Sequence, residues 1–267
     1  MRNVNMREEV RIMKNRKPTK THRAFALIYS PTGVGKTVSS IRTSPRPIRY
    51  YEAEPRPVER ACEGVCDLTN VDIGHPENFV DLLDDITENY QDIINNYKTV
   101  IVDSLTFLMN VTLLGEIERE TGEANVFEKS ARPLVNMGRT DQTGYGSMAS
   151  LMKRLCGLLG RIATEGVLVI CTALQTDNPK WNRDLAAAPA LAGREFPRDM
   201  PGYFDIIGRV EMRRGEDGEV LYPPTVWFAS DESDSFLAKW SGPPLPRPYT
   251  LLNWEKILNF KTQQKEE

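Results

Sequence analysis

This chain has few of the residues that a disulfide scaffold or a metal framework needs. Its 267 residues hold four cysteines, Cys62, Cys66, Cys156 and Cys171. So few in a chain this long read as reduced intracellular thiols rather than a disulfide network. Cys62 and Cys66 with His75 make half a zinc site, and no second ligand pair completes it. No apolar run approaches the roughly eighteen residues of a membrane span. The N-terminal stretch is basic but has no apolar core of the kind a secretory signal carries. The expectation is a soluble cytoplasmic protein with no membrane partner. No internal repeat is present. A large excess of one charge is missing too, since the net charge of −3 argues against wholesale coating of nucleic acid. The basic residues that do cluster are Arg2, Arg7, Arg11, Lys14, Arg16, Lys17, Lys20 and Arg23, against only Glu8 and Glu9. They read as a solvated arm over residues 1–20, or as one that docks on a neighbouring subunit or on nucleic-acid phosphates.

A hydrophobic content of 40% is enough to build the core of one large domain. Ala24-Phe25-Ala26-Leu27-Ile28-Tyr29 is an apolar run that predicts a buried strand, and the stretch from Thr37 to Ile41 can open a helix. Between them lies Ser30-Pro31-Thr32-Gly33-Val34-Gly35-Lys36-Thr37-Val38. This matches G-x-x-x-x-G-K-T except that Ser30 stands where the first glycine usually does. Strand, glycine loop and helix together suit a nucleoside triphosphate. Consecutive N–H groups and a helix N-terminus face the phosphates, and Gly33 and Gly35 let the main chain approach. Lys36 would neutralise the β- and γ-phosphates of ATP, and the Thr37 hydroxyl would ligate magnesium.

Further along, strands alternate with helices. Pro47–Tyr51, Val71–Ile73, Thr99–Asp103 and Val167–Cys171 read as strands. One helix is expected from Pro76 through Ile94, one from Leu105 to Glu120, and one with Met148, Leu151, Met152, Leu155, Leu158, Leu159 and Ile162 on a single face. That alternation predicts a mostly parallel sheet covered on both sides. Beyond residue 205 the pattern shifts to hairpin-like strands, with turn signals at Gly215–Gly218 and Pro223-Pro224. A short helix is expected around Leu251 to Phe260. The divisions are an arm at 1–20, an ATPase core with a late β-rich segment at 21–240, and a helix with a polar tail at 241–267.

Asp103 ends the strand Val100-Ile101-Val102. A buried acid there needs a counter-charge, and a magnesium ion beside the triphosphate supplies one; the alternative is an Asp-Ser helix cap. The next residue is Ser104 and not the glutamate that many packaging and helicase motors carry. A general base must therefore come from elsewhere, and Tyr51-Glu52-Ala53-Glu54 is the best candidate. Two stretches read as long loops. One runs from Lys129 to Tyr145 with Arg132 and Arg139. The other runs from Thr176 to Pro201 with Lys180, Trp181, Arg183, Arg194 and Arg198. Basic and aromatic residues in such loops suit single-stranded nucleic acid, or they are solvated surface.

These features resemble the RecA recombinase family, and within it the phage RecA-like ATPases of the Sak single-strand annealing group. The resemblance spans residues 21–240. It rests on the phosphate loop, Glu54, Asp103-Ser104, Thr172-Ala173-Leu174-Gln175, Pro189-Ala190-Leu191 and Met200-Pro201-Gly202-Tyr203-Phe204-Asp205. It implies an α/β RecA-like core with helices on both faces and a β-rich extension. Glu54 is then the base, and Gln175, with Thr172 as fallback, reports the γ-phosphate state to a DNA-binding loop. It also implies ATP hydrolysis coupled to single-stranded DNA in phage recombination or annealing within an infected host. Expected partners are further copies in a ring or filament, and single-strand-binding or replication proteins. Arg209, Arg213, Arg214 and Lys239 are candidates for a cation given in trans. Two rival readings stand, a motor or loader ATPase acting on a protein or a packaged genome, and a nucleotide-dependent regulatory protein with little turnover.

Overall fold

The run Ala24–Tyr29 is apolar at every position because both of its faces are buried. In the computed structural model, which describes residues 24–117, 142–230 and 234–262, it forms the central strand β1 (Phe25–Ser30). Phe25, Leu27 and Tyr29 enter one core cluster, while Ala24, Ala26 and Ile28 enter the other. Around it lie β2 (Ile48–Glu52), β3 (Val71–Gly74), β4 (Thr99–Asp103), β5 (Leu168–Asp177) and β6 (Ala187–Pro189), then β7 (Ile206–Arg214), β8 (Val220–Trp227), β9 (Lys239–Trp240) and β10 (Tyr249–Leu251). The sheet runs β10-β8-β7-β1-β5-β4-β2-β3, with β6 and β9 attached to β5 and β7. From β3 to β7 the main ladder is parallel; β8 and β10 extend it antiparallel. The late β-rich segment therefore continues the central sheet.

The strand that follows the phosphate loop in sequence is not its neighbour in space. β5 lies between β1 and β4, and β2 lies beyond β4, which is the RecA-like phosphate-loop arrangement. Helix α1 (Lys36–Thr43) covers one face. A short α2 (Val58–Cys62) follows β2. On the other face lie α3 (Phe79–Glu88), α4 (Tyr90–Asn96) and the long helix Gln142–Thr164, with Met148, Met152, Leu155, Leu159 and Ile162 fully buried. The C-terminal helix Trp254–Thr262 buries Trp254 and Ile257 in the α1-side cluster. No helix among the described residues is long and apolar enough to cross a membrane.

Several expectations are corrected. The helix expected from Pro76 is two, split at Asn89, and it is Asn78 that caps the first by accepting from Asp81 N–H at 2.9 Å. An Asn side chain satisfies a free N–H at the first turn, whereas proline only tolerates the position. The helix expected from Leu105 is present through Ile117, the last described residue there, beginning as α5 (Leu105–Phe107) and passing through a π-helical turn (Leu108–Leu113). Gln142 already begins the long helix, so Thr143–Gly146 is helix and not loop. Burial of the Met148 face outweighs the cost of two helical glycines, about 1 kcal/mol each. Pro223 and Pro224 lie inside β8, where only Thr225–Trp227 pair with β10, so the missing N–H groups interrupt no ladder on that side. Less than half of Thr176–Pro201 is regular, and the stretches 178–186 and 190–194 remain loop. β5 and β6 pair antiparallel as a hairpin, and a helical turn, Glu195–Asp199, follows. The basic arm, Arg132 and Arg139 lie outside the described residues.

Candidate nucleotide site

The parallel register brings four strand ends to one edge. Ser30 pairs with Leu174, Glu52 with Asp103, and Val102 with Cys171. In open α/β sheets, ligands bind at the carboxyl ends of the strands. The phosphate loop crosses that edge from Ser30 to Lys36. Gly33 (φ +81°) and Gly35 (φ +95°) both take the left-handed conformation that a side chain would strain. Pro31, Thr32 and Gly33 are exposed at the crest, Val34 packs into the α1-side cluster, and Thr37 and Val38 begin the helix half-buried.

Lys36 is buried, and its ammonium donates to Ser30 O (3.1 Å), Ser30 Oγ (2.9 Å) and Pro31 O (3.2 Å). The serine that replaces the usual glycine thus holds the lysine, and its own hydroxyl donates to Pro31 O at 2.8 Å. Burial pushes the Lys36 pKa down, opposed by the charges of Asp103 and Glu54.

Asp103 is buried and gathers three hydroxyls. Thr37 (2.6 Å) and Tyr50 (2.7 Å) donate to Oδ2, and Thr172 donates to Oδ1. Thr37 and Asp103, sixty-six residues apart, are both hard oxygen donors, the ligand class that magnesium takes. The residues present therefore fit that ion. Tyr50 has no counterpart among the expected site residues. Its signal is the strand alternation, since Tyr50 and Glu52 share a face and Glu52 is in register with Asp103.

Glu54 sits just past β2, where its N–H and that of Ala53 reach the Asp103 carbonyl at 3.2 and 2.7 Å. Burial and then the Asp103 charge raise its pKa; a hydrogen bond from Ser104 and the charges of Lys36 and Arg56 oppose them. Ser104 also caps the following helix by accepting from Phe107 N–H. One hydroxyl therefore does both jobs, of which the sequence pattern suggests only the cap. Glu52 is occupied differently. Its carboxylate accepts the Val58 N–H and meets His75 Nδ1 at 3.2 Å.

Thr172 touches Asp103, whereas Gln175 Nε2 donates to Asp177 Oδ1 at 2.7 Å and its Oε1 is buried without a hydrogen-bond partner. Lys180 and Arg183 are exposed at the tip of the β5–β6 hairpin, with Trp181 half-buried between them. Of the trans candidates, Arg209 is held by Asp234, Glu211 and the Phe236 ring, and Lys239 donates to Pro201 O. Arg213 reaches Pro223 O at 3.3 Å, and Arg214 is exposed near Gly218. Cys62 and Cys66 are free thiols, and among the described residues no three His, Cys, Asp or Glu side chains gather to hold a metal.

The AAA domain model AAA_24 matches residues 22–240. The chain belongs to this family. It is a phosphate-loop ATPase domain with a RecA-like sheet, and the match takes in every strand from β1 to β9. No curated protein matches. Among solved structures, the chain is similar to the KaiC-like protein PH0186 of the hyperthermophilic archaeon Pyrococcus horikoshii OT3, at 13% identity and a TM-score of 0.40, covering 76% of each chain. It is also similar to a second solved ATPase domain, at 12% identity and a TM-score of 0.44, covering 84% of this chain and 79% of that one. At these scores the superpositions add nothing to what the strand order itself shows.

Thr37→Ala should leave the fold intact and weaken nucleotide binding in the presence of magnesium by about tenfold, the scale of one hydrogen bond to a charged group. In EDTA the variant and the parent should bind alike. Isothermal titration under the two conditions checks this, and equal loss in both would remove magnesium from the role of Thr37.

Proposed function

We propose that this domain binds and hydrolyses ATP with magnesium, and couples that cycle to single-stranded DNA in recombination or annealing of the phage Sak type. The observation that carries the ATPase half is the convergence of Lys36, Thr37, Asp103 and Glu54 on one glycine loop at the carboxyl edge of the sheet. Lys36 neutralises the β- and γ-phosphates, exchanging its bonds to Ser30 and Pro31 for phosphate oxygens. Glu54, oriented by Ser104, takes the proton of the attacking water. Magnesium, when bound at Thr37 and Asp103, screens the charge that develops on the phosphates.

The DNA half has a different support. The β5–β6 hairpin rises from the same edge and shows Lys180, Trp181 and Arg183 at its tip. Its root is tied to the segment just after Asp103. Thr106 Oγ1 accepts the Leu174 N–H at 2.9 Å, and Asn110 spans Ala190 O (3.3 Å) and Ala192 N–H (2.9 Å). A rearrangement at Asp103 thus has a short route to the hairpin. Among the described residues Arg213, Arg214 and Lys239 donate to backbone carbonyls, whereas Arg209 is paired with Asp234 and Glu211, so the first three are the better candidates for a cation given in trans within an oligomer.

Turnover with no nucleic acid, with single strands and with duplex separates the readings. Stimulation by single strands is expected, duplex-only stimulation favours a motor, and background rates throughout favour a regulatory protein. Lys180→Glu should weaken single-strand binding and flatten its salt dependence by about 0.7 in log–log slope per lost phosphate contact. Trp181→Ala should lose about 1–3 kcal/mol if a base stacks there. Full single-strand binding by the combined variant, read by fluorescence anisotropy across a salt series, would overturn the assignment to this hairpin.

A further inference from the structure

The two ends of the nucleotide site are built unequally. The metal and base residues Asp103 and Glu54 lie on the β4–β2 side of the phosphate loop, two and three strands from β1. A triphosphate held by this loop with its γ end toward them must run its nucleoside end the other way, toward β7 and β8. On that side stands Tyr222. Its ring packs so closely on the phosphate loop that a methyl group on Gly35 would lie 2.9 Å from the ring Cε1. A side chain at Gly35 would be strained by its φ and would also have to displace this ring.

The ring also remains open to solvent. Tyr222 is 54% exposed, against 36–39% for the other exposed tyrosines, Tyr145, Tyr203 and Tyr249. This places a largely exposed aromatic side chain beside the phosphate-binding loop. Its presentation has a local cause. Between the pairs Glu211–Thr225 and Arg213–Leu221, β7 contributes only Met212 while β8 contributes Tyr222, Pro223 and Pro224. Such bulges re-aim side chains, and Arg213 ties this one down through the Pro223 carbonyl.

We infer that Tyr222 is the nucleobase platform of this site, a stacking face for a purine whose triphosphate lies in the 30–37 loop. The inference rests on the nucleotide-binding reading above and adds the residue that recognises the nucleoside end. Stacking needs only the ring, because a base and an aromatic side chain meet face to face without the hydroxyl.

The test is equilibrium binding of Mg-ATP and of inorganic tripolyphosphate to the full chain and to its Tyr222→Ala and Tyr222→Phe variants, with melting curves to verify folding. Tyr222→Ala should lose about 5- to 150-fold in ATP affinity, the range that base–aromatic stacking supplies. Its tripolyphosphate affinity should not move, and Tyr222→Phe should keep ATP affinity. Unchanged ATP affinity in Tyr222→Ala would overturn the platform while leaving the phosphate loop standing. An equal loss for ATP and tripolyphosphate would do the same, since the ring would then be supporting the loop. If the parent chain binds neither ligand, the phosphate-loop reading and the platform fall together. Should Tyr222→Ala not fold, Tyr222→Leu takes its place, with the same expected loss for ATP alone.

Discussion

Glu54→Gln should bind ATP as the parent chain does and hydrolyse it about 10²–10⁴ times more slowly, the usual cost of removing a general base. The amide keeps the size of the side chain and still accepts from Ser104, but it cannot take a proton from water. Its site argues for the role. Glu54 is half-buried, bonded to Ser104, and close enough to Asp103 and Lys36 for both charges to act on its carboxyl. Burial and Asp103 hold that carboxyl above the usual carboxylate range. A base must be ionised to act, so hydrolysis should fall as the pH drops through the raised value. The acid limb of the profile should then lie above the ordinary glutamate range and vanish in the variant. Glu52→Gln is the control. That carboxylate already serves the Val58 N–H and His75, so its loss should lower the melting temperature more than the rate. Single-turnover hydrolysis of both variants decides between them. A slow Glu52 variant beside a normal Glu54 variant would move the base two residues back along the chain.

How much of this could be read in the sequence depended on whether the signal was local. The phosphate loop was legible because its conformation is written in adjacent residues, with glycines at the two left-handed positions and a buried strand before them. Asp103 was legible as an acid that ends an apolar strand. Tyr50 was hidden as a site residue, and Thr172, named only as a fallback γ-phosphate reporter, was hidden as a partner of Asp103, because their convergence follows from strand order and not from spacing. Only the insertion of β5 between β1 and β4 brings Thr172 beside Asp103. Tyr222 is an extreme case. It lies 187 residues beyond Gly35, in a Tyr-Pro-Pro run that local rules assign to a turn. The helix from Gln142 was missed at its start for the converse reason, since glycines gave a local loop signal that tertiary burial overrode.

Lys36→Ala should bring the largest loss, about 10³–10⁵ in kcat/KM, from two separate effects. In the ground state the variant forfeits a charge-assisted contact to the phosphates, about 1.5–3 kcal/mol, or roughly ten- to a hundredfold in affinity. In the transition state it also forfeits a preorganised donor where charge develops, which costs about 10²–10³ more in rate. The ground-state loss should sit toward the lower end. Lys36 in the free site already donates to Ser30 O, Ser30 Oγ and Pro31 O, so binding exchanges those bonds and does not create new ones outright. Burial, which lowers its pKa, works the other way, because a desolvated ammonium meets the phosphates with little water left to strip. Ser30→Gly separates these contributions. Without the hydroxyl, Lys36 keeps only the two carbonyls and is freer to leave them, so ATP affinity should rise by a few-fold while the hydrolysis rate of bound ATP stays put. Mg-ATP titration and single-turnover rates for the two variants give both quantities. Unchanged ATP affinity in Lys36→Ala would remove the phosphate loop from the centre of this protein's chemistry. A fall in affinity for Ser30→Gly would mean that the serine binds phosphate itself and does not merely hold the lysine.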